Sequence, residues 1–129
     1  ACFLTGYEYK ETYDEAYIDG LLAALRANGA KTVILTGVGF TPDTTGVMVL
    51  EGDTARHYVH RKIPKSSHGT GDVYAASFVG AYMRGKDAFD AAAIAADYTV
   101  KCIKNTVDDE SHWYGVKFEP VLPELIKEL

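Results

Sequence analysis

An α/β fold is predicted by three features of this chain. An amphipathic helix runs at once into a short, almost continuously apolar strand; two β-prone segments follow, parted by a tight turn; and two small-residue helices stand behind a glycine-rich turn. Thr12 followed by Glu15 has capping-box spacing, and Ala16, Leu21, Leu22 and Leu25 recur at helical intervals until Asn28-Gly29 stops them. These predict a helix over residues 12–28. Val33, Ile34 and Leu35 dominate residues 31–36, a run bounded by Gly29 and Gly37 whose unbroken hydrophobicity suits a buried parallel strand. Residues 45–50 and 56–63 are β-prone and separated by Glu51-Gly52-Asp53, which demands a turn, so a hairpin or a pair of neighbouring strands is expected. Residues 70–84 read as a helix after the glycine turn, and Asp87 and Asp90 as N-cap and third-position residues before an alanine-rich helix over 91–104. Pro120 and Pro123 open a last short helix. Cys2-Phe3-Leu4 followed by Thr5-Gly6 reads as the end of a helix that began earlier, and with Ala1 in first place the chain is expected to be a fragment.

Composition narrows the function. A chain of 129 residues that is 47% hydrophobic and 24% charged is one globular domain or part of one. A net charge of −5 without any Lys/Arg cluster argues against nucleic acid, whose binding needs a basic face to replace counterions. No apolar stretch approaches a membrane span and no basic segment precedes an apolar run near Ala1, so neither a membrane partner nor a signal peptide is expected and the cytoplasm is the default compartment. Cys2 and Cys102 are too few and too far apart for a disulfide framework or a zinc site and read as free thiols.

The most informative stretch is Ser66-Ser67-His68-Gly69-Thr70-Gly71-Asp72, which leads into the small residues at 73–80. Glycines permit positive φ and close approach of a ligand, and a helix start leaves N–H groups unpaired at the positive end of the dipole. That is an anion site, and Asp72 puts a base within reach of any phosphate held there, which suggests phosphoryl transfer. The plainer reading is that Asp72 merely caps the helix. Other motifs are excluded. The chain has no Gly-x-x-x-x-Gly-Lys-Ser/Thr, and Gly37-Val38-Gly39 begins like a dinucleotide fingerprint but lacks the third glycine and meets Pro42. His57, His60, His68 and His112 have no metal-ligand spacing, and His57 and His60 read as strand surface. Tyr7, Tyr9, Tyr13 and Tyr17 lack a basic setting and read as an interface or half-buried packing. Asp108-Asp109-Glu110 reads as a solvated loop.

The order of parts is more specific than any motif: a strand ending Thr36-Gly37, a β excursion, Gly69-Thr70-Gly71-Asp72, a small-residue helix, and an alanine-rich helix closing Ile103-Lys104-Asn105-Thr106. In this the chain resembles, over essentially all of residues 1–129, the C-terminal half of ribokinase-fold kinases, and among them most closely the pyridoxal and pyridoxamine kinases of vitamin B6 salvage. The resemblance implies a ribokinase-like, Rossmann-like three-layer αβα sandwich, here its C-terminal, ATP-binding and catalytic portion. It makes Asp72 the catalytic base that takes the proton of the 5′-hydroxymethyl oxygen of pyridoxal, pyridoxamine or pyridoxine. The N–H groups of Gly69, Thr70, Gly71 and Asp72 become the anion hole for the phosphoryl group of ATP. Thr36 and Gly37 would face the nucleotide phosphates and nearby cations, and Ile63 and Ile103 would line the adenine pocket, against a plain reading of both isoleucines as core. ATP, Mg²⁺ with K⁺ as a further cation, and a homodimer are implied likewise. Ser67 and His68 depart from the aromatic residue and valine that precede the motif in animal pyridoxal kinases, and His68 reads as a turn residue. The acceptor pocket of such kinases belongs to the N-terminal half. Hydroxymethylpyrimidine or its phosphate, less readily a sugar, therefore stays open as acceptor, as does a non-catalytic nucleotide-binding fragment, and apolar surface is expected where absent strands belong.

Overall fold

The structure is a computed structural model that describes residues 1–64 and 67–129; Ser66 of the glycine-turn run, like Lys65, lies outside the described residues. The chain divides into two compact units, Ala1–Lys62 and Ile63–Leu129.

In the first unit a short helix, α1 (Cys2–Thr5), ends on Gly6 in the left-handed conformation, φ 72°. A longer one follows, α2 (Glu15–Ala27), whose cap is Asp14 and not the Thr12 of the predicted box: the Asp14 carboxylate accepts the Tyr17 N–H at 2.9 Å. A carboxylate one residue before the first helical turn reaches that N–H directly, so the helix starts later than residue 12. Three strands, β1 (Thr32–Thr36), β2 (Thr44–Glu51) and β3 (Thr54–Arg61), form one sheet in the order β1-β2-β3. β2 and β3 are the predicted hairpin, closed over Gly52-Asp53 with Gly52 at φ 57° and Asp53 not at positive φ, the sign pattern of a type II′ turn.

The parallel pairing predicted for β1 is corrected. Among the described residues its strand partner is β2, antiparallel, from Thr32 opposite Glu51 to Thr36 opposite Val47. Hydrophobicity cannot tell the two pairings apart, whereas the connection can: residues 37–43 are fewer than the roughly dozen a parallel crossover needs. α2 lays Ile18 and Leu22 on Val33, Val38, Met48 and Leu50, and Tyr13, Tyr17 and Phe40 pack against that cluster. Val47 and Val49, one step out of phase along β2, are each 1% exposed, so this strand is covered on both faces.

In the second unit α3 (Thr70–Met83) and α4 (Ala88–Thr106) pack together across a short connection. Asp87 caps α4 as predicted, accepting the Asp90 N–H at 2.7 Å. Small residues set the approach: Ala81, Ala91, Ala92 and Ala95 are all fully buried. Tyr74 crosses the pair, its hydroxyl donating to the Ala92 carbonyl at 3.2 Å, and burial pushes its pKa well above the ordinary tyrosine value. Two 3-10 turns, Glu110–His112 and Glu119–Val121, lead to α5 (Leu122–Glu128), whose Leu125 joins Tyr98, Cys102 and Val116 in a second core. The Tyr98 hydroxyl donates to the Phe118 carbonyl at 2.8 Å and, chiefly through burial, its pKa is pushed up to about 12. The acidic run is not simply a solvated loop: Asp109 accepts the Ser111 N–H at 3.0 Å and pairs with Lys117, because the chain turns back there and brings the ammonium to it. Both cysteines are free, Cys102 in the core. Large apolar side chains stand exposed, among them Phe3, Val79 and Met83.

Candidate functional site

The glycine turn folds as its residue types dictate. Gly69 takes φ 79°, ψ 0° and is the N-cap of α3, with no side-chain cap. An L-residue would be strained there, and glycine has no side chain with which to cap the helix start. Asp72 is therefore not the cap. It sits in the first turn, exposed, three residues beyond the N-cap. Val73 donates to the Gly69 carbonyl at 3.0 Å and begins the helical ladder, so the N–H groups of Thr70, Gly71 and Asp72 have no acceptor within the helix. They point out beside the positive end of a 14-residue helix. The Thr70 hydroxyl is turned back, donating to the Ser67 carbonyl at 3.4 Å.

Gly71 adds a negative observation with chemical content. A Cβ built on it meets nothing within 4 Å among the described residues, so none of them requires glycine at that position. What the missing side chain leaves is open space in a first turn whose N–H groups have no acceptor within the helix. Ile103 is half-buried at the edge of the second core, which Val73 from the first turn of α3 also joins. Ile63 is half-buried just past β3. His68 is exposed and stands in the turn, as predicted.

Thr36 and Gly37 belong to the first unit. Both are exposed at the carboxyl end of β1, where open α/β sheets bind ligands, and both line a cavity of about 770 Å³ together with Tyr9, Tyr13, Phe40 and Lys62. Gly37 has φ 75°, and a Cβ on Gly39 would lie 2.3 Å from the Thr44 carbonyl oxygen, so this second turn also needs its glycines. It passes into β2 and not into a helix, in keeping with the exclusion of a dinucleotide fingerprint.

Sequence reasoning missed what holds that turn. The Tyr13 hydroxyl donates to the Gly37 carbonyl at 3.3 Å and accepts the Gly39 N–H at 3.2 Å. His57, read as strand surface, is half-buried instead: its Nε2 lies 3.1 Å from the Val38 carbonyl and its ring meets Phe40 edge-on at 5.5 Å. A carbonyl only accepts, so Nε2 carries the proton. The reason is register, since His57 stands opposite Met48, on the sheet face over which the turn folds. The tyrosine series does pack half-buried at Tyr13 and Tyr17, stacked at 5.8 Å, while Tyr9 is 74% exposed. The Tyr17 pKa is raised to about 12, first by its hydrogen bond with Cys2 and then by burial.

Among the described residues no group of three or more His, Cys, Asp or Glu could hold a metal. Mg²⁺ is commonly held by one or two carboxylates with substrate phosphates and water.

The structure is similar to solved kinases along nearly its whole length. Pyridoxal kinase from Lactobacillus plantarum superposes with a TM-score of 0.84 at 24% identity, covering 98% of this chain and 46% of that one. A Bacteroides thetaiotaomicron protein described as a phosphomethylpyrimidine kinase, in a crystal form with pyridoxal, gives 0.83 at 25% identity, covering 97% and 46%. Pyridoxal kinase from Leishmania donovani in complex with ADP and pyridoxamine gives 0.78 at 18% identity, covering 97% and 44%. The chain thus spans slightly under half the length of the structures it matches, and over that length it has the α/β, ribokinase-like fold. A family profile described as phosphomethylpyrimidine kinase matches residues 1–116, and the chain belongs to that family. No curated protein sequence matches it. No helix among the described residues is long and apolar enough to cross a membrane.

Proposed function

We propose that this chain is the C-terminal, ATP-binding and catalytic half of a kinase that phosphorylates the 5′-hydroxymethyl group of B6 vitamers. The observation that carries the reading is the open start of α3: Gly69 at positive φ, three N–H groups without helical acceptors, room over Gly71, and an exposed carboxylate at Asp72. Phosphoryl transfer asks a protein mainly for positioning and charge stabilisation, and this turn has both kinds of group. The acceptor oxygen loses its proton to the Asp72 carboxylate as it bonds to the γ-phosphorus. The bond from that phosphorus to the bridging oxygen breaks, ADP leaves, and the N–H groups take up the charge that builds on the phosphoryl oxygens. Thr36 and Gly37 face the nucleotide phosphates, and Ile63 and Ile103 flank the adenine. Mg²⁺ and K⁺, a homodimer and a cytoplasmic location complete the reading, which chelation, light scattering and fractionation test.

A second acceptor has its own support. The family description names phosphomethylpyrimidine, and the Bacteroides thetaiotaomicron protein so described was crystallised in a form with pyridoxal. ATP consumption by the full-length protein with pyridoxal, pyridoxamine, pyridoxine and hydroxymethylpyrimidine in parallel separates the two. Turnover with the vitamers is the expected result. Turnover with the pyrimidine alone moves the protein to the thiamine branch, and none at all favours a non-catalytic nucleotide binder.

Gly71 gives a prediction that separates fold from ligand. Gly71→Ala adds a methyl that meets nothing among the described residues, and alanine outranks glycine inside a helix by about 0.5–1 kcal/mol, so thermal stability should hold or rise. ATP affinity by calorimetry should fall, because the methyl occupies the phosphate's space. Unchanged affinity would remove Gly71 from the site.

A further inference from the structure

We propose that Tyr13 is a positioning residue for the nucleotide, acting through the Gly37–Gly39 turn, an inference that rests on the kinase reading of Thr36 and Gly37. The turn is chemically soft. Its two glycines give it the conformation it needs, positive φ at Gly37 and a close pass of Gly39 along the Thr44 carbonyl, and the same glycines give it the most freedom to leave that conformation. Something outside the turn must fix it if its backbone is to meet phosphate oxygens at a set distance.

The turn's polar groups show what does. The Val38 N–H donates to the Gly46 carbonyl at 3.1 Å, and the Val38 carbonyl accepts His57 Nε2 at 3.1 Å. The Tyr13 hydroxyl takes two more, donating to the Gly37 carbonyl and accepting from the Gly39 N–H, so that one oxygen spans both ends of the turn. Tyr13 itself is held from below. Its ring stacks on Tyr17, meets Phe40 edge-on at 6.0 Å, and packs against the core under α2. It immediately precedes Asp14, the cap of α2, so the hydroxyl is fixed to the start of that helix. A rigid aromatic anchor with its hydroxyl shared between a donor and an acceptor is the arrangement that holds a flexible turn in one state.

Tyr13→Phe in the full-length protein removes the hydroxyl and keeps the ring. ATP affinity measured by calorimetry should weaken by about fivefold to tenfold, as expected when one half-buried amide loses its partner. The KM for ATP should rise while kcat and the KM for the acceptor hold, and the Gly39 amide should exchange with solvent faster. Tyr17→Phe is the control: it removes a hydroxyl from the same stack, one that donates to the Glu8 carbonyl at 2.6 Å, and should leave ATP affinity as it was. Tyr13→Phe binding ATP as tightly as the wild type overturns the proposal, as does an equal loss in both variants. A wild type that binds ATP without transferring phosphate overturns the kinase reading alone, the affinities of the variants still deciding on Tyr13. A wild type that does not bind ATP overturns both.

Discussion

Asp72→Asn will leave a protein that binds ATP and transfers almost no phosphate. The substitution keeps the shape of the side chain and removes its ability to accept a proton, so it isolates the base. Loss of a positioned general base costs about a hundredfold to ten-thousandfold in rate. The fold should hardly notice. Asp72 is exposed in the first turn of α3 and the cap position belongs to Gly69, so no capping bond is lost. What changes is a carboxylate beside the helix N-terminus, worth about 0.3–1 kcal/mol at an exposed site. The N–H groups of Thr70, Gly71 and Asp72 remain, so ATP affinity should hold or improve slightly as a negative charge near the phosphates disappears. Single-turnover phosphate transfer and calorimetry on the same preparation make the measurement. Undiminished turnover would take the base role from Asp72; lost ATP binding with a lowered unfolding temperature would mean that the carboxylate serves the fold.

That turn was legible because its chemistry is local. A glycine at a left-handed position, small residues behind it and a carboxylate in the first turn all lie within a few residues of one another, so a helix start at Gly69 can be read without knowing what surrounds it. The hairpin over Gly52-Asp53 and the cap at Asp87 were legible for the same reason. Where the expectation failed, a distant or competing partner decided. Asp14 displaced Thr12 at the start of α2 because its carboxylate reaches the Tyr17 N–H. β1 has the apolar run of a parallel strand and pairs antiparallel because the return through residues 37–43 is short. Tyr13 and His57 hold the Gly37–Gly39 turn through bonds to backbone atoms that lie 19 to 26 residues away along the chain, and a backbone partner leaves no mark in the sequence.

Gly46→Ala should be the most destabilising single-methyl change in the first unit, and its effect should reach the turn between Gly37 and Gly39. Gly46 lies inside β2 opposite Val59, and a Cβ built on it would fall 1.9 Å from the Tyr58 carbonyl oxygen and 2.9 Å from its carbon. Those are backbone atoms, with no rotamer to give way, so β2 and β3 must part. A buried residue forced against its neighbours costs about 1–3 kcal/mol, and an obstacle made of backbone puts this case at the upper end or beyond it. An isolated glycine within a β-prone run is itself the sequence signal for such a close approach. The consequence for function follows from one bond: the Gly46 carbonyl accepts the Val38 N–H, so a displaced β2 pulls on the turn between Gly37 and Gly39. Denaturant unfolding should show a large fall in midpoint, and the molecules still folded in buffer should bind ATP more weakly than wild type. Gly71→Ala, with open space at the same test atom, should show the reverse stability effect with the same loss of affinity. The two alanines together therefore distinguish a glycine kept for packing from a glycine kept for the ligand. A Gly46→Ala protein that unfolds at the wild-type midpoint would mean that β2 and β3 are not paired in the register that sets Gly46 against Val59.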